Sequence, residues 1–178
     1  PTELVEPMTA KSASTAAVTS SNPDACYINM MCELENDFEN LDPMRRATVM
    51  LAVNNTAQCT GTFVNNTRND GRLLILTATH CDADTSAPGP VVFTAYFDYE
   101  TACGEDVKAA NLADAPIAVN GNLLSRFDDL ELLELTGDVP SSVDLYLMGL
   151  DASATVPATL TVAHHTHAYS KLYSEFNS

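Results

Sequence analysis

Short apolar segments with the composition of β-strands follow one another along this chain, and residues that favour turns separate them. Residues 47–53 lead through a turn at residues 54–56 to residues 58–64, and a second turn rich in Asn and Asp follows at residues 65–71. The remaining strand-like segments are residues 72–76, 91–97, 130–135, 146–148 and 159–163. Many short strands between turns are typical of an antiparallel sandwich or barrel, so the sequence predicts an all-β protein. We expect a helix only at short stretches such as residues 109–113.

The first 25 residues differ from the rest of the chain. They are rich in Ser, Thr, Ala and Pro without an apolar period, so we expect an extended arm over residues 1–25 and a folded part that begins near Cys26. Residues 1–4 lack the character of a signal peptide, so a secreted protein would be present in its processed form. No apolar run approaches the roughly 20 residues that span a bilayer, and we expect no membrane segment.

The charge balance is strongly acidic. Eight basic residues stand against 24 acidic ones, which gives a formal net charge of −16. This charge disfavours binding to nucleic acid or to an anionic membrane surface. Solubility is the simplest explanation, while a salty habitat and a basic substrate remain open alternatives.

The chain has five cysteines, at Cys26, Cys32, Cys59, Cys81 and Cys103. Their spacing is not that of paired CxxC motifs, so we expect no zinc cluster. Scattered cysteines in a β-rich chain indicate disulfides and an oxidising compartment. Because the number is odd, one cysteine has no partner or pairs with a residue outside this chain.

One histidine stands at the end of an apolar run. The sequence Leu-Ile-Leu-Thr-Ala-Thr at residues 74–79 leads directly to His80 and Cys81. A histidine can act as a general base because its pKa lies near working pH. Taken alone, a histidine in this position is more often a satisfied core residue.

Four segments together carry a resemblance to a known family. They are Cys-Tyr-Ile-Asn-Met-Met-Cys at residues 26–32, Cys-Thr-Gly-Thr-Phe-Val-Asn-Asn-Thr at 59–67, Thr-Ala-Thr-His-Cys at 77–81 and Phe-Asp-Asp-Leu-Glu-Leu-Leu-Glu-Leu at 127–135. In this order and spacing they resemble the chymotrypsin-like serine proteases, and among these the secreted bacterial lysyl endopeptidases. The resemblance runs from about Cys26 to about Lys171. It implies a trypsin-like antiparallel β-barrel over residues 26–135, the first of two, and over residues 136–178 a crossover with the opening strand of the second.

The resemblance also implies roles for two residues. His80 would be the general base, and Asp129 would be the carboxylate that fixes its tautomer and stabilises the imidazolium. The family's aspartate stands three residues before a Leu-Leu-Glu-Leu element, which begins here at Leu132, and this favours Asp129 over Asp128. A solvated carboxylate at a strand end is the alternative for Asp129.

A pairing of the cysteines is implied in the same way. The family pattern pairs Cys59 with Cys81, which would fasten the histidine turn to the preceding strand, and Cys32 with Cys103. Cys26 would pair with a cysteine near the end of the second barrel, outside this chain. A buried Cys26 without a disulfide is the alternative.

The nucleophile of such an enzyme is not recognisable in these residues. No Gly-x-Ser-x-Gly or Gly-Asp-Ser-Gly segment occurs, and the family's nucleophile, oxyanion loop and specificity pocket lie beyond the position matched by Ser178. We therefore expect a chain of a secreted serine endopeptidase that acts on polypeptides, completed by a C-terminal part or by a second chain linked through Cys26. The polar, turn-like residues 174–178 are the expected place for a nick between two chains.

A non-catalytic, protease-like subunit or binding module is the alternative function. We expect no metal or organic cofactor in either case. The cluster of His164, His165 and His167 lacks the carboxylate partners of a metal site, so a strand and its following loop are the simpler interpretation.

Overall fold

A computed structural model describes residues 28–53, 57–81, 89–107, 111–151, 153 and 155–177, so the arm expected over residues 1–25 and Cys26 lie outside the described residues. The helices are α1 (Met30–Asn36) and α2 (Phe38–Ala47). The strands are β1 (Ile28–Asn29), β2 (Thr48–Val53), β3 (Ala57–Val64), β4 (Leu74–Ala78), β5 (Gly89–Tyr96), β6 (Ile117–Phe127), β7 (Leu130–Leu135), β8 (Thr159–His164) and β9 (Leu172–Asn177). In the part of the chain that the structure describes, neither helix is long and apolar enough to cross a bilayer.

Six strands close into an antiparallel barrel in the order β2–β3–β4–β7–β6–β5. The ring closes because β2 pairs on one side with β3, Leu51 opposite Cys59, and on the other with β5, Leu51 opposite Ala95. The all-β class and the trypsin-like barrel expected from the sequence are thereby confirmed. Alternate residues of each strand point inward and fill the barrel with apolar side chains. These are Val49, Leu51, Val53, Phe63, Ile75, Val91, Phe93, Ala95, Phe97, Ala118, Leu123, Leu133 and Leu135.

A second sheet of three strands, in the order β1–β9–β8, lies beside the barrel. One of its faces packs against α1 and α2 and forms an apolar cluster separate from the barrel core. The buried members of this cluster are Met30, Leu34, Leu41, Ala163 and Tyr173.

A buried lysine ties this sheet to the helices and to the loop after β5. Lys171 precedes β9, and its Nζ donates to the Arg45 carbonyl and to Glu100 Oε1, both at 2.7 Å. Burial lowers the pKa of Lys171, while the Glu100 carboxylate opposes that shift. Arg45 also donates to Glu100 at 3.1 Å, so one carboxylate holds two cations. Loss of Glu100 would leave the charge of Lys171 buried and unpaired, which is costly. The contacts of Lys171, Glu100 and Arg45 therefore hold the second sheet against the barrel.

The helices are short, as expected, but α1 and α2 do not lie at residues 109–113, the stretch given as an example. The helical period is weak in this part of the sequence. The helices have 7 and 10 residues, Asp37 alone separates them, and Pro43 interrupts the backbone bonding of α2. Packing of their apolar side chains against the second sheet stabilises them. Within the described part of residues 109–113 and just beyond it, Leu112–Asp114 forms a 3₁₀ turn.

Strand β6 is a further element that the sequence does not predict. Its centre is Asn120, Gly121 and Asn122, which are turn-forming residues. Tertiary packing explains the glycine, because a Cβ at Gly121 would collide with the Phe93 ring and the Glu134 carbonyl.

Two predictions near the C-terminal end are wrong. Residues 146–148 form no strand but contribute one parallel bridge, Met148 with Val64. Residues 174–178, expected to be a turn, lie up to Asn177 in β9, which pairs with β8 from Leu172 to Asn177. The polar side chains of β9 are tolerated because only part of this small sheet is covered.

Candidate active site

His80 and Asp129 lie 49 residues apart in the chain and are brought together by the pairing of β4 with β7. β4 ends at Ala78, and the next residues form a 3₁₀ turn that holds His80. Asp129 is the second residue of the two-residue turn that leads into β7. Because Ala78 lies opposite Leu130 in the ladder, the two turns are neighbours at one end of the barrel.

The side chains of His80 and Asp129 form a close pair. His80 Nδ1 lies 2.9 Å from Oδ1 and 2.8 Å from Oδ2 of Asp129. The backbone N–H of His80 also donates to Oδ1 at 3.1 Å, and Thr79 N–H donates to the Asp129 carbonyl at 3.1 Å. The backbone N–H of His80, followed by its ring, lowers the pKa of Asp129, so the carboxylate is ionised at neutral pH. An ionised carboxylate only accepts hydrogen bonds, so Nδ1 carries the proton and Nε2 carries the basic lone pair.

The pair is open to solvent. The side chains of His80 and Asp129 are 70% and 62% exposed. His80 is therefore not a core histidine. An exposed ion pair contributes little to stability, so a contribution to folding does not account for this contact.

Two disulfides join distant segments of the chain, and one of them adjoins the pair. Cys81, next to His80, is bonded to Cys59 of β3, and Cys32 of α1 is bonded to Cys103 in the loop after β5. These are the pairs that the resemblance implies. Cys59, Cys81 and His80 lie close enough to surround an ion, but both sulfurs are oxidised and cannot act as thiolate ligands.

The three histidines near β8 have separate partners. His164 lies 2.8 Å from Ser174 Oγ and 2.7 Å from Thr166 Oγ1. His165 is buried and contacts the Tyr169 carbonyl through Nδ1 at 3.0 Å. His167 is exposed. Among the described residues these three do not form a group of metal ligands.

Two features beneath the pair were not anticipated from sequence. Thr77 Oγ1 donates to the Thr60 carbonyl at 2.8 Å, which links β4 to β3 just before His80. The side chain of Glu131 is fully buried and accepts from Arg126 Nε at 3.0 Å. A Thr or Glu within a strand gives no sequence signal of such a role.

Comparison with known proteins places this chain in a family. The model of the lysyl endopeptidase C-terminal domain matches residues 20–178. A lysyl endopeptidase of Pseudomonas aeruginosa is 27% identical over 161 residues, which cover 86% of this chain and 34% of the relative. The chain thus spans about a third of the length of that curated relative. On the extent of the family match, the chain belongs to the lysyl endopeptidase C-terminal domain family.

Proposed function

We propose that this chain carries the general base and the orienting carboxylate of a serine endopeptidase, with His80 as the base and Asp129 as the orienting residue. The observation that supports this most directly is the contact of His80 Nδ1 with both oxygens of Asp129, at 2.9 and 2.8 Å. It leaves Nε2 as the nitrogen that can take a proton from a nucleophile.

The chemistry follows from that tautomer. A serine hydroxyl attacks a peptide carbonyl once His80 Nε2 accepts its proton, and the same nitrogen then donates the proton to the leaving amine. Asp129 stabilises the imidazolium without taking the proton itself. The nucleophile, the oxyanion hole and the specificity pocket would come from a further segment of the protein or from a second chain.

Polypeptides are the proposed substrate class. The name of the Pseudomonas aeruginosa relative makes peptides that contain lysine the first substrates to assay. We propose that a preference for lysine would be set by a specificity pocket in the further segment or second chain.

The division of the chain fits this proposal. We propose residues 26–135 as the first barrel domain and residues 136–178 as the crossover and the beginning of the second. Residues 28–47 of the first of these parts pack against the β8–β9 sheet, whose residues Leu160 and Phe176 pair across the strands and are both exposed. An apolar sheet surface of this kind is suited to contact with another segment.

The proposed location is outside the cell. Two disulfides join distant parts of the described chain, and such bonds persist in oxidising compartments.

Substitution of the orienting carboxylate tests the proposed function in the protein expressed from its complete reading frame. Asp129→Asn leaves the size of the side chain unchanged but removes the acceptor that fixes the His80 tautomer, so we expect kcat to fall by about 10⁴-fold. Asp128→Asn is the matched control. Asp128 is the adjacent turn residue with φ of 54°, a conformation that Asn tolerates, so its kcat should stay within about twofold of the wild-type value.

A serine-directed fluorophosphonate probe gives the second measurement. We expect it to label the wild-type protein and to label His80→Ala far more slowly, because the serine then has no base. No labelling and no peptide hydrolysis by the folded wild-type protein would contradict the proposal and favour the non-catalytic subunit. Equal losses in Asp128→Asn and Asp129→Asn would contradict the assignment of Asp129.

A further inference from the structure

We propose that the ion pair of Arg126 with Glu131 positions Asp129 against His80. Both members of the ion pair are then positioning residues, and their effect on catalysis rests on the proposed function. Arg126 is the last residue but one of β6, and Glu131 is the second residue of β7. Neither touches His80 in the described contacts, so both would act through the turn that carries Asp129.

Glu131 occupies a position inside the barrel. Residues 131, 133 and 135 share one face of β7, and Leu133 and Leu135 belong to the barrel core. The Glu131 side chain is 0% exposed, and its Oε2 accepts from Arg126 Nε at 3.0 Å. Apolar residues of similar volume are often as stabilising as a buried ion pair, so stability alone does not explain a carboxylate here.

The ion pair lies directly beneath the turn. Arg126 and Glu131 face each other across the β6–β7 ladder, followed by Phe127 opposite Leu130 and then by the turn that contains Asp129. Phe127 and Leu130 are 80% and 49% exposed, so packing holds this last pair loosely. The Arg126–Glu131 pair is thus the nearest cross-strand contact with a fully buried member below Asp129.

The same position also adjoins the strand that leads to His80. Glu131 lies opposite Thr77 of β4, three residues before His80. The hydroxyl of Thr77 is in turn fixed by the Thr60 carbonyl. Glu131 therefore lies on β7 between Arg126 of β6 and Thr77 of β4, close to the ends of β4 and β7 that carry His80 and Asp129.

The exposure of His80 and Asp129 makes the position of the ion pair below their turns important. Because the side chains of His80 and Asp129 are themselves mostly exposed, their contact depends on the backbone hydrogen bonds between the two turns and on how the two turns are placed. A displacement of about 1 Å at a catalytic group can reduce the rate about 100-fold. Fixing β6 against β7 just below the turn would prevent such a displacement.

Glu131→Gln tests this proposal in the protein expressed from its complete reading frame. It keeps the shape of the side chain and removes its charge. We expect kcat to fall about 10-fold with KM within about twofold, because the base is misplaced while substrate binding is not. The matched control is Glu134→Gln, which breaks an ion pair of the same strand with Arg72 (2.7 Å) at a position further from Asp129. Its kcat should stay at the wild-type value.

Nitrogen-15 NMR of the His80 ring provides a readout that does not depend on proteolysis. We expect the Nδ1–H tautomer in the wild type and in Glu134→Gln, and a mixture of tautomers in Glu131→Gln. If the wild type proves to have no protease activity, this comparison still decides whether Glu131 positions the pair. A wild-type tautomer together with wild-type kcat in Glu131→Gln would overturn the proposal.

A second variant covers the case in which Glu131→Gln does not fold. The double substitution Arg126→Met with Glu131→Leu removes both charges of the ion pair together, so we expect the barrel to fold. We expect the same loss of kcat and the same mixture of tautomers as for the single variant. Full retention of both wild-type properties would show that filling the space suffices and would overturn the positioning role.

Discussion

His165 combines deep burial with a group that titrates near neutral pH. Its Nδ1 contacts the Tyr169 carbonyl at 3.0 Å, and its backbone N–H donates to Thr60 Oγ1 at 2.8 Å. Burial, with a smaller contribution from the charge of Lys171, lowers the pKa of His165 to about 3. In the unfolded chain a histidine titrates near 6.5, so the two states differ in bound protons between these values.

This difference predicts that acid destabilises the fold through His165. Above about pH 6.5 the ring is neutral in both states and the stability is fully present. As pH falls from 6.5 toward 3, only the unfolded state binds the proton, so the free energy of unfolding decreases by up to about 1.4 kcal/mol per pH unit. His165→Asn keeps a donor near the position of Nδ1 and should remove this contribution. Urea unfolding at pH 7, 5 and 4 measures it.

The control for that measurement is His167→Asn. His167 is exposed and has φ of 52°, which Asn tolerates, so the stability of this variant should follow the wild-type pH dependence. His164, whose pKa burial also lowers, remains in both variants and cannot explain a difference between them. A wild-type pH dependence in His165→Asn would contradict the prediction.

At the scale of elements, the two disulfides constrain different parts of the molecule. The bond of Cys59 with Cys81 closes 22 residues and holds the turn of His80 against β3. The bond of Cys32 with Cys103 closes 71 residues and holds α1. Chain entropy alone gives the shorter loop a stabilisation of about 3.4 kcal/mol and the longer one about 4.4 kcal/mol.

We therefore expect that removing one bond lowers mainly the stability and that removing the other lowers mainly the activity. Replacing Cys32 and Cys103 by Ala should cost more free energy of unfolding, whereas replacing Cys59 and Cys81 by Ala should cost more kcat, because Cys81 adjoins His80. Urea unfolding and peptide hydrolysis at a temperature where both variants are folded measure the two effects. An equal loss of kcat per unit of lost stability in both variants would contradict this prediction.

The sequence predicts those elements whose residues have an intrinsic preference for the structure that they adopt. β2, β3 and β7 lie between turn residues, and an antiparallel sandwich or barrel was expected from strands of this kind. β6 was not expected, because Asn120 and Gly121 favour turns. Gly121 is paired with both β5 and β7, while Asn120 keeps a φ of 69° at an irregularity in the β5–β6 ladder. The helices α1 and α2 were missed for the opposite reason, since they depend on a distant sheet and not on a strong helical period.

The candidate site shows the same limit. The pairing of His80 with Asp129 was expected from a resemblance in motif order, and the structure brings the two together. The burial of Glu131 could not be expected, since residues 130–135 alone do not say which side of the strand meets the core. That choice is made by the register of β7 between β4 and β6.

At the scale of the whole molecule, the small sheet is only partly covered. The face of β8 and β9 that carries Ala163 and Tyr173 is buried against the helices. On the other face Leu160, Val162 and Phe176 are exposed. A face with this composition is suited to packing against the further barrel that the proposed function requires.

Cys26 is the residue through which such a further part would be joined covalently. With four cysteines in two disulfides, Cys26 is the fifth, and the proposal pairs it with a cysteine outside residues 1–178. We expect no cysteine of the folded, complete protein to react with iodoacetamide before reduction. Mass spectrometry of an unreduced digest should find the Cys26 peptide linked to a peptide from outside this sequence. The linked peptides of the two internal disulfides serve as controls in the same digest. Alkylated Cys26 without reduction would show a thiol, and the further part would then be held by its apolar contacts alone.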